Sequence, residues 1–399
     1  MTGIKPRDAG IPTDYEDGHR AARLLDPGLA DRYIAHTTMG DPAADALMEE
    51  LAPLPRVKVR GYIEAAMNRE EGALSDAPQA IREFFDLKTR QPDWLDLASH
   101  GPAARLFFRE NKLVLGALLG GVLVEGFSTN IAKSFIITGR LRDQGVRRLK
   151  QNNRHVTEIF LPGGLERNGD GWKLSVRLCL VHAQIRYLLK HSPEWDGEAW
   201  GTPLSAAHMG FAITAFSARL LKHMEKLGAA VSDPEERESF MAVWRYTGYL
   251  MGVPETLLFE DEADALRIFR IGLTCEPPPD FESIVMANAL INSAPLVLGM
   301  DTPEERRDLR KYVYGISRAL IGDGLADALR YPKSSTLGVL PWFRAQDRFA
   351  RILDNVVPRR FRNRRLDDFT GLLEASLFEQ GGITYGLPDH VYAEESSRW

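Results

Sequence analysis

A single histidine, His182, lies in the middle of the mostly apolar segment RLCLVHAQIR. Apolar residues recur three and four positions apart around it, and this period predicts a helix over residues 173–191 with one apolar face. A neutral imidazole beside such a face bonds a buried carbonyl, donates or accepts a proton, or ligates a metal. For a lone histidine on a core helix the first use is the most frequent, so His182 alone does not decide between them.

A second group of polar residues precedes this helix, in the segment GRLRDQGVRRLKQNNRHVTEIFLPGG over residues 139–164. A helix through the segment would place Arg148 and Asn152 four residues apart on one face. His155 and Glu158 are three residues apart, but one histidine and one carboxylate make a weak argument for a metal site.

The order of these pieces resembles the rubber oxygenase family, also called latex-clearing proteins, which includes the MpaB-type oxygenases. The pieces read GRL, RRLxxN, FxPGG, GW and VRLxLVHAxIR. The likeness continues in FSARLLKHMEKLG, WRYTGYLMGVPETLLFEDEADALRIF and YPKSSTLGVLPWFR, so it covers roughly residues 30–350. The resemblance implies an oxygenase that holds haem b and uses O2 as co-substrate.

The resemblance also implies roles for individual residues. His182 would be the proximal ligand of the haem iron, and Arg148 would pair a haem propionate or order the distal pocket. Asn152 stands where the family pattern usually has threonine, although its amide still donates and accepts hydrogen bonds. Glu125 is the candidate distal base, with a pKa raised by burial, unless it is a helix-end carboxylate that reaches water. His208 is a candidate second residue of the haem pocket.

Helical signals dominate the rest of the chain. Asp233 and Thr302 each precede a proline and glutamates, which predicts a helix start, and Thr202-Pro203 predicts a third start for a helix that ends at Gly228. Few segments alternate with the period of a strand. We therefore predict an all-α fold, a single large helical domain with a globin-like haem-binding core. Its parts are an N-terminal arm over residues 1–24, the catalytic domain over 25–360 and a C-terminal extension over 361–399.

Composition and charge narrow the partners. With 399 residues, 44% of them hydrophobic, and a net charge of -5, the chain is typical of a globular protein that does not bind nucleic acid. The run LVLGALLGGVLV is shorter than the roughly 20 residues of a transmembrane helix. The basic cluster PRRFRNRRLDDF is either a solvated helix face or a peripheral membrane contact. The polar N-terminus lacks the pattern of an export signal, so we expect a cytoplasmic protein.

These observations predict a haem b-dependent oxygenase that acts with O2 on the C=C bond of an apolar, isoprenoid-like substrate. The alternative is a non-catalytic protein of the same fold that binds haem or an apolar ligand, and the asparagine at position 152 motivates it. A third hypothesis is an enzyme of this fold that no longer uses haem chemistry. The sequence predicts neither the exact substrate nor the oligomeric state.

Overall fold

A computed structural model describes residues 10–138, 152–297, 302–345, Arg348 and Leu387. Within these residues the regular structure is helical without β-strands, which confirms the predicted all-α fold. The helices in chain order are α1 (Glu16–Arg23), α2 (Pro27–Ala35), α3 (Pro42–Leu51), α4 (Arg56–Asn68), α5 (Gln79–Thr89), α6 (Gly101–Arg109), α7 (Asn111–Ala117), α8 (Leu123–Phe127), α9 (Ile131–Ile137), α10 (152–160), α11 (Asp170–Lys190), α12 (Gly197–Trp200), α13 (Ala206–Thr214), α14 (Leu220–Leu227), α15 (Pro234–Leu250), α16 (Glu262–Cys275), α17 (Phe281–Val297), α18 (Pro303–Ile321), α19 (Asp323–Ala328) and α20 (339–345).

Two long helices are interrupted by π-helical turns. The segment Leu118–Val122 joins α7 to α8, and the segment Ala215–Arg219 joins α13 to α14. The two π-helical segments pack against each other. A π-helical turn is rare, and such turns are frequent at functional sites. Their contact therefore marks a part of the fold where function is expected.

Local capping explains several helix starts, and it also accounts for one wrong prediction. The side chain of Asp233 accepts a hydrogen bond at the start of α15, Thr302 forms a capping box at the start of α18, and Gly228 ends α14 with φ at +95°. The start predicted at Thr202-Pro203 is wrong. Ser205 caps the helix instead by accepting from the backbone N–H of His208, so α13 begins at Ala206.

The core extends close to the N-terminus. α11 packs on α3 and α15, and α1 packs on α16. Tyr15, within the predicted N-terminal arm, is fully buried. The division into arm, catalytic domain and extension stays a prediction.

The length of the apolar run predicted no transmembrane span, and the basic cluster left a peripheral membrane contact open. Among the described helices, no single one is long and apolar enough to cross a membrane. Together, the segments Asn111–Phe127 and Ile131–Ile137 are long and apolar enough to cross a membrane by length and composition, but a bend of 90° lies between them. The basic cluster at residues 358–369 lies outside the described residues.

Candidate active-site cavity

A cavity of about 220 Å³ lies between the π-helical segments and the helices around α11. Its wall is mostly apolar, with aromatic side chains such as Phe127, Phe135 and Phe216. The only polar side chains on it among the described residues, apart from the indole N–H of Trp244, are those of Asn152, His155 and His182. A mostly apolar cavity with a few polar groups is the usual form of a small-molecule site.

His182 reaches this cavity from the apolar face of α11. Leu178 lies four residues before His182, Val181 is next to it and Ile185 lies three residues after it. All three line the same cavity. The predicted helix is therefore present, although it begins slightly earlier, at Asp170. His182 itself is half-buried.

Asn152 and His155 reach the cavity from α10. They are three residues apart and so lie on the same helix face. In the sequence, His155 stood out only for its spacing to Glu158, but Glu158 pairs with Arg154 at 2.6 Å. The spacing from Asn152 to His155 was the sequence signal that could have identified His155 as a residue of the site.

The geometry of His155 fixes its protonation. Its Nε2 lies 2.9 Å from Oγ of Ser175, and the Ser175 hydroxyl donates to the carbonyl of Gly171 at 2.7 Å. Since the hydroxyl has a single hydrogen, the Nε2–H of His155 is the donor in the first bond. Burial lowers the pKa of His155 to about 4. The ring is therefore neutral near pH 7 and its Nδ1 carries a lone pair.

The glycine-rich turn after α10 brings α10 close to α11. The backbone N–H of Trp172 donates to the carbonyl of Gly164 at 2.8 Å. A Cβ at Gly164 would collide with the Glu158 carbonyl, and one at Gly171 would lie 2.7 Å from the same oxygen. Side chains at these two positions would push the helices apart, so the glycines keep the polar residues of α10 beside α11.

Two buried N–H donors at the cavity wall lack a hydrogen-bond partner in the described part of the chain. They are Nδ2 of Asn152 and Nε1 of Trp244. An unmatched buried donor costs roughly 1–3 kcal/mol. Such groups are commonly satisfied by a bound ligand or by water.

Glu125 differs from expectation. It is buried, and its carboxylate accepts hydrogen bonds from Arg219 at 2.6–3.0 Å and lies 3.0 Å from Nε2 of His223. Burial alone would raise the pKa of Glu125, but His223 and Arg219 outweigh it, so the pKa is lowered and the expected raised value is wrong. Glu125 does not line the cavity. The buried ion pair argues against a role as distal base, which stays a prediction from the resemblance.

His208 is also placed away from the cavity wall. It is fully buried, and its Nε2 lies 3.0 Å from the hydroxyl of Tyr15 and 3.2 Å from Oε1 of Glu276. The prediction that His208 is a pocket residue is therefore not supported, although the next residue, Met209, lines the cavity. Arg148, predicted to contact a propionate, lies outside the described residues.

Comparison with known proteins places this cavity in a family context. A family model described as the catalytic domain of ER-bound oxygenase mpaB/B′ and rubber oxygenase matches residues 105–352. The chain belongs to this family. The matched region contains the two π-helical segments and all the polar residues of the cavity wall.

Individual relatives are more distant. The rubber oxygenase of Streptomyces sp. (strain K30) is 22% identical over 225 residues, which are 54% of this chain and 53% of that protein. The chain thus spans about half the length of this curated relative. The structure of latex clearing protein LCP in the closed state matches with a TM-score of 0.66 and 19% identity, over 88% of this chain and 95% of that chain. At this identity, the second likeness shows the fold.

Proposed function

We propose that this protein is a haem b-dependent oxygenase that uses O2 to oxidise the C=C bond of an apolar, isoprenoid-like molecule. Membership in an oxygenase family supports the reaction class. One observation of this chain carries the proposal: His182 faces a mostly apolar cavity from the apolar side of a core helix. Haem, when bound, supplies the iron chemistry that activates O2.

The residues of the cavity fit a haem held by one histidine. Such a haem needs one imidazole from the protein, whereas a site built only from side chains needs several ligands. No group of three or more histidine, cysteine, aspartate or glutamate side chains in the described residues could hold a metal ion. His182 would hold the iron, and Arg148 would pair a propionate. The unpartnered Nδ2 of Asn152 is the further polar group that a bound molecule would satisfy.

The size of the cavity adds a requirement. About 220 Å³ is below the roughly 300–1,000 Å³ of common ligand sites. Binding of a ring as large as a tetrapyrrole therefore requires wall side chains to change rotamer. Phe135 and Phe216 are half-buried and line the cavity, so they are the aromatic residues with most freedom to do so.

The other wall residues prepare the cavity for an apolar substrate. Leu178, Ile185 and Val253 exclude water, which strengthens every polar interaction that remains inside. His155 holds its proton at Nε2, on the side of Ser175, and leaves Nδ1 as an acceptor. A cytoplasmic location remains part of this proposal.

The first test is haem binding. Wild type, His182→Ala and His191→Ala are purified, loaded with hemin and measured by visible absorption and by the pyridine haemochrome assay. We expect near one haem per chain in wild type, and a lost or shifted Soret band in His182→Ala. His191→Ala is the matched control, because His191 lies at the exposed end of the same helix, and it should bind haem as wild type does.

The second step is oxygen uptake by the loaded protein with unsaturated isoprenoids. Uptake that depends on the C=C bond would support an oxygenase and would eliminate the alternative of a non-catalytic binding protein. Stoichiometric haem without uptake would favour that alternative. A wild type that takes up no hemin would contradict the proposal, and His182 would then be a core histidine.

A further inference from the structure

One part of the cavity wall is polar, and a hydrocarbon cannot form hydrogen bonds to it. Asn152 and His155 lie three residues apart on α10 and both line the cavity, whose remaining wall is mostly apolar. We call these two residues the polar pair. A substrate made only of carbon and hydrogen would cover the polar pair without matching it.

His155 supplies the acceptor of the polar pair. Because the Ser175 hydroxyl gives its hydrogen to the Gly171 carbonyl, Nε2 of His155 must carry the ring hydrogen. The other ring nitrogen, Nδ1, is then unprotonated. Ser175 therefore locks the imidazole in the tautomer that accepts a hydrogen bond at Nδ1.

Asn152 supplies the donor. Its Nδ2 is buried and makes no hydrogen bond within the part of the chain that the structure describes. An amide NH2 in this position is matched by an oxygen that accepts a hydrogen bond. Water would serve in the free protein, and a ligand that displaces this water keeps the bonds only if it has a similar polar group.

We propose that the substrate of this cavity is an unsaturated apolar molecule that carries a hydroxyl group, which donates to Nδ1 of His155 and accepts from Nδ2 of Asn152. A hydroxyl both donates and accepts, so its chemistry suits one acceptor and one donor. The inference rests on the proposed function for the unsaturated part of the molecule. The preference for a hydroxyl is a property of binding and is measured separately.

The experiment compares three ligands with the same carbon chain: an isoprenoid alcohol, its methyl ether and the corresponding hydrocarbon. Dissociation constants are measured by calorimetry on the full-length protein, as purified and after loading with haem. The ether accepts a hydrogen bond but cannot donate one, and the hydrocarbon does neither. We expect the alcohol to bind about tenfold or more tightly than the ether, and the ether more tightly than the hydrocarbon.

Variants assign each step to one residue. His155→Leu should remove the difference between alcohol and ether, and Asn152→Leu should remove the difference between ether and hydrocarbon. Ser175→Ala keeps the imidazole but frees its tautomer, so it should reduce the first difference even if His155→Leu does not fold. Met209→Leu changes an apolar part of the wall and should preserve both differences.

Equal affinity of wild type for the three ligands, or binding of none of them, would overturn the inference. A preference for the alcohol that persists in His155→Leu and Asn152→Leu would also overturn it. Failure of the proposed function is a different result: absence of haem or of oxygen uptake, in a protein that still prefers the alcohol.

Discussion

At the level of single residues, burial and neighbours decide the charge of each ionisable group. Glu125 and His155 are both buried. Glu125 stays ionised because His223 and the fork of Arg219 both contact its carboxylate, whereas His155 has a serine hydroxyl at its Nε2 and stays neutral. The sequence indicated neither outcome, since Arg219 is 94 residues away from Glu125.

The neutral state of His155 predicts a dependence of stability on pH. Its pKa is lowered from 6.5 to about 4 in the folded protein, so the unfolded chain binds the extra proton between these values. The stability from this group is present above pH 6.5 and is lost as pH falls toward 4. Because the unfolded histidine is already half protonated at pH 6.5, wild type loses about 1.5 kcal/mol from this group between pH 6.5 and pH 5.

Urea unfolding of wild type and His155→Gln at the two pH values measures this contribution. Glutamine does not titrate, so the free energy of unfolding of the variant should fall by about 1.5 kcal/mol less on acidification. Groups distant from His155 contribute equally to both proteins and cancel in the difference. A pH dependence identical to that of wild type would show that His155 does not have the lowered pKa.

At the level of helices, what is local was predictable and what is tertiary was not. The caps at Asp233 and Thr302 depend on residues within one turn, and both were predicted from sequence. The predicted start of α13 at Thr202-Pro203 was wrong because the hydroxyl of Ser205 caps the helix instead. The π-helical segments were not predicted from the sequence, and the two pack against each other although they are distant in the chain.

Gly121, in the first π-helical segment, shows what such a contact requires. A Cβ there would lie 2.6 Å from Cδ2 of His223 and 2.9 Å from its Nε2. The ring cannot move freely, because Nε2 lies 3.0 Å from the buried carboxylate of Glu125. We expect Gly121→Ala to lower the free energy of unfolding by about 1–3 kcal/mol, measured by urea denaturation.

Gly116→Ala is the matched control for this prediction. Gly116 lies on the preceding helix, and a Cβ there meets only Leu227 Cδ1, at an ordinary distance of 3.5 Å. This variant should be neutral or stabilising by about 0.5–1 kcal/mol, because alanine favours a helix interior. Adding His223→Ala to Gly121→Ala should relieve the clash. A Gly121→Ala variant as stable as Gly116→Ala would contradict the argument.

For the whole molecule, the fold class was predictable because it is the sum of many local helical signals. The helix period placed His182 beside the apolar face of its helix, and in the structure that face lines the cavity. The partners in the buried polar contacts could not be predicted from the sequence. Tyr15 contacts His208 across 193 residues, and Tyr33 contacts Glu276 across 243. A single sequence has no periodic pattern that pairs such distant residues. The first of these contacts ties the N-terminal part of the chain to α13, which lines the cavity, and the second ties it to the end of α16.

The contact of Tyr15 with His208 predicts that the N-terminal segment contributes to global stability. Both side chains are fully buried, and Tyr15→Phe would remove one of the two groups that face Nε2 of His208. We expect the free energy of unfolding to fall by about 1–2 kcal/mol in denaturant titrations. Tyr249→Phe is the control, because the Tyr249 hydroxyl bonds the Arg90 carbonyl in an exposed position and should contribute less than about 0.5 kcal/mol. Neither tyrosine lines the cavity, so haem binding should be unchanged in both variants. Equal losses in the two variants would mean that burial of the Tyr15 hydroxyl gives no special stability, and that packing of its ring alone holds the N-terminal segment.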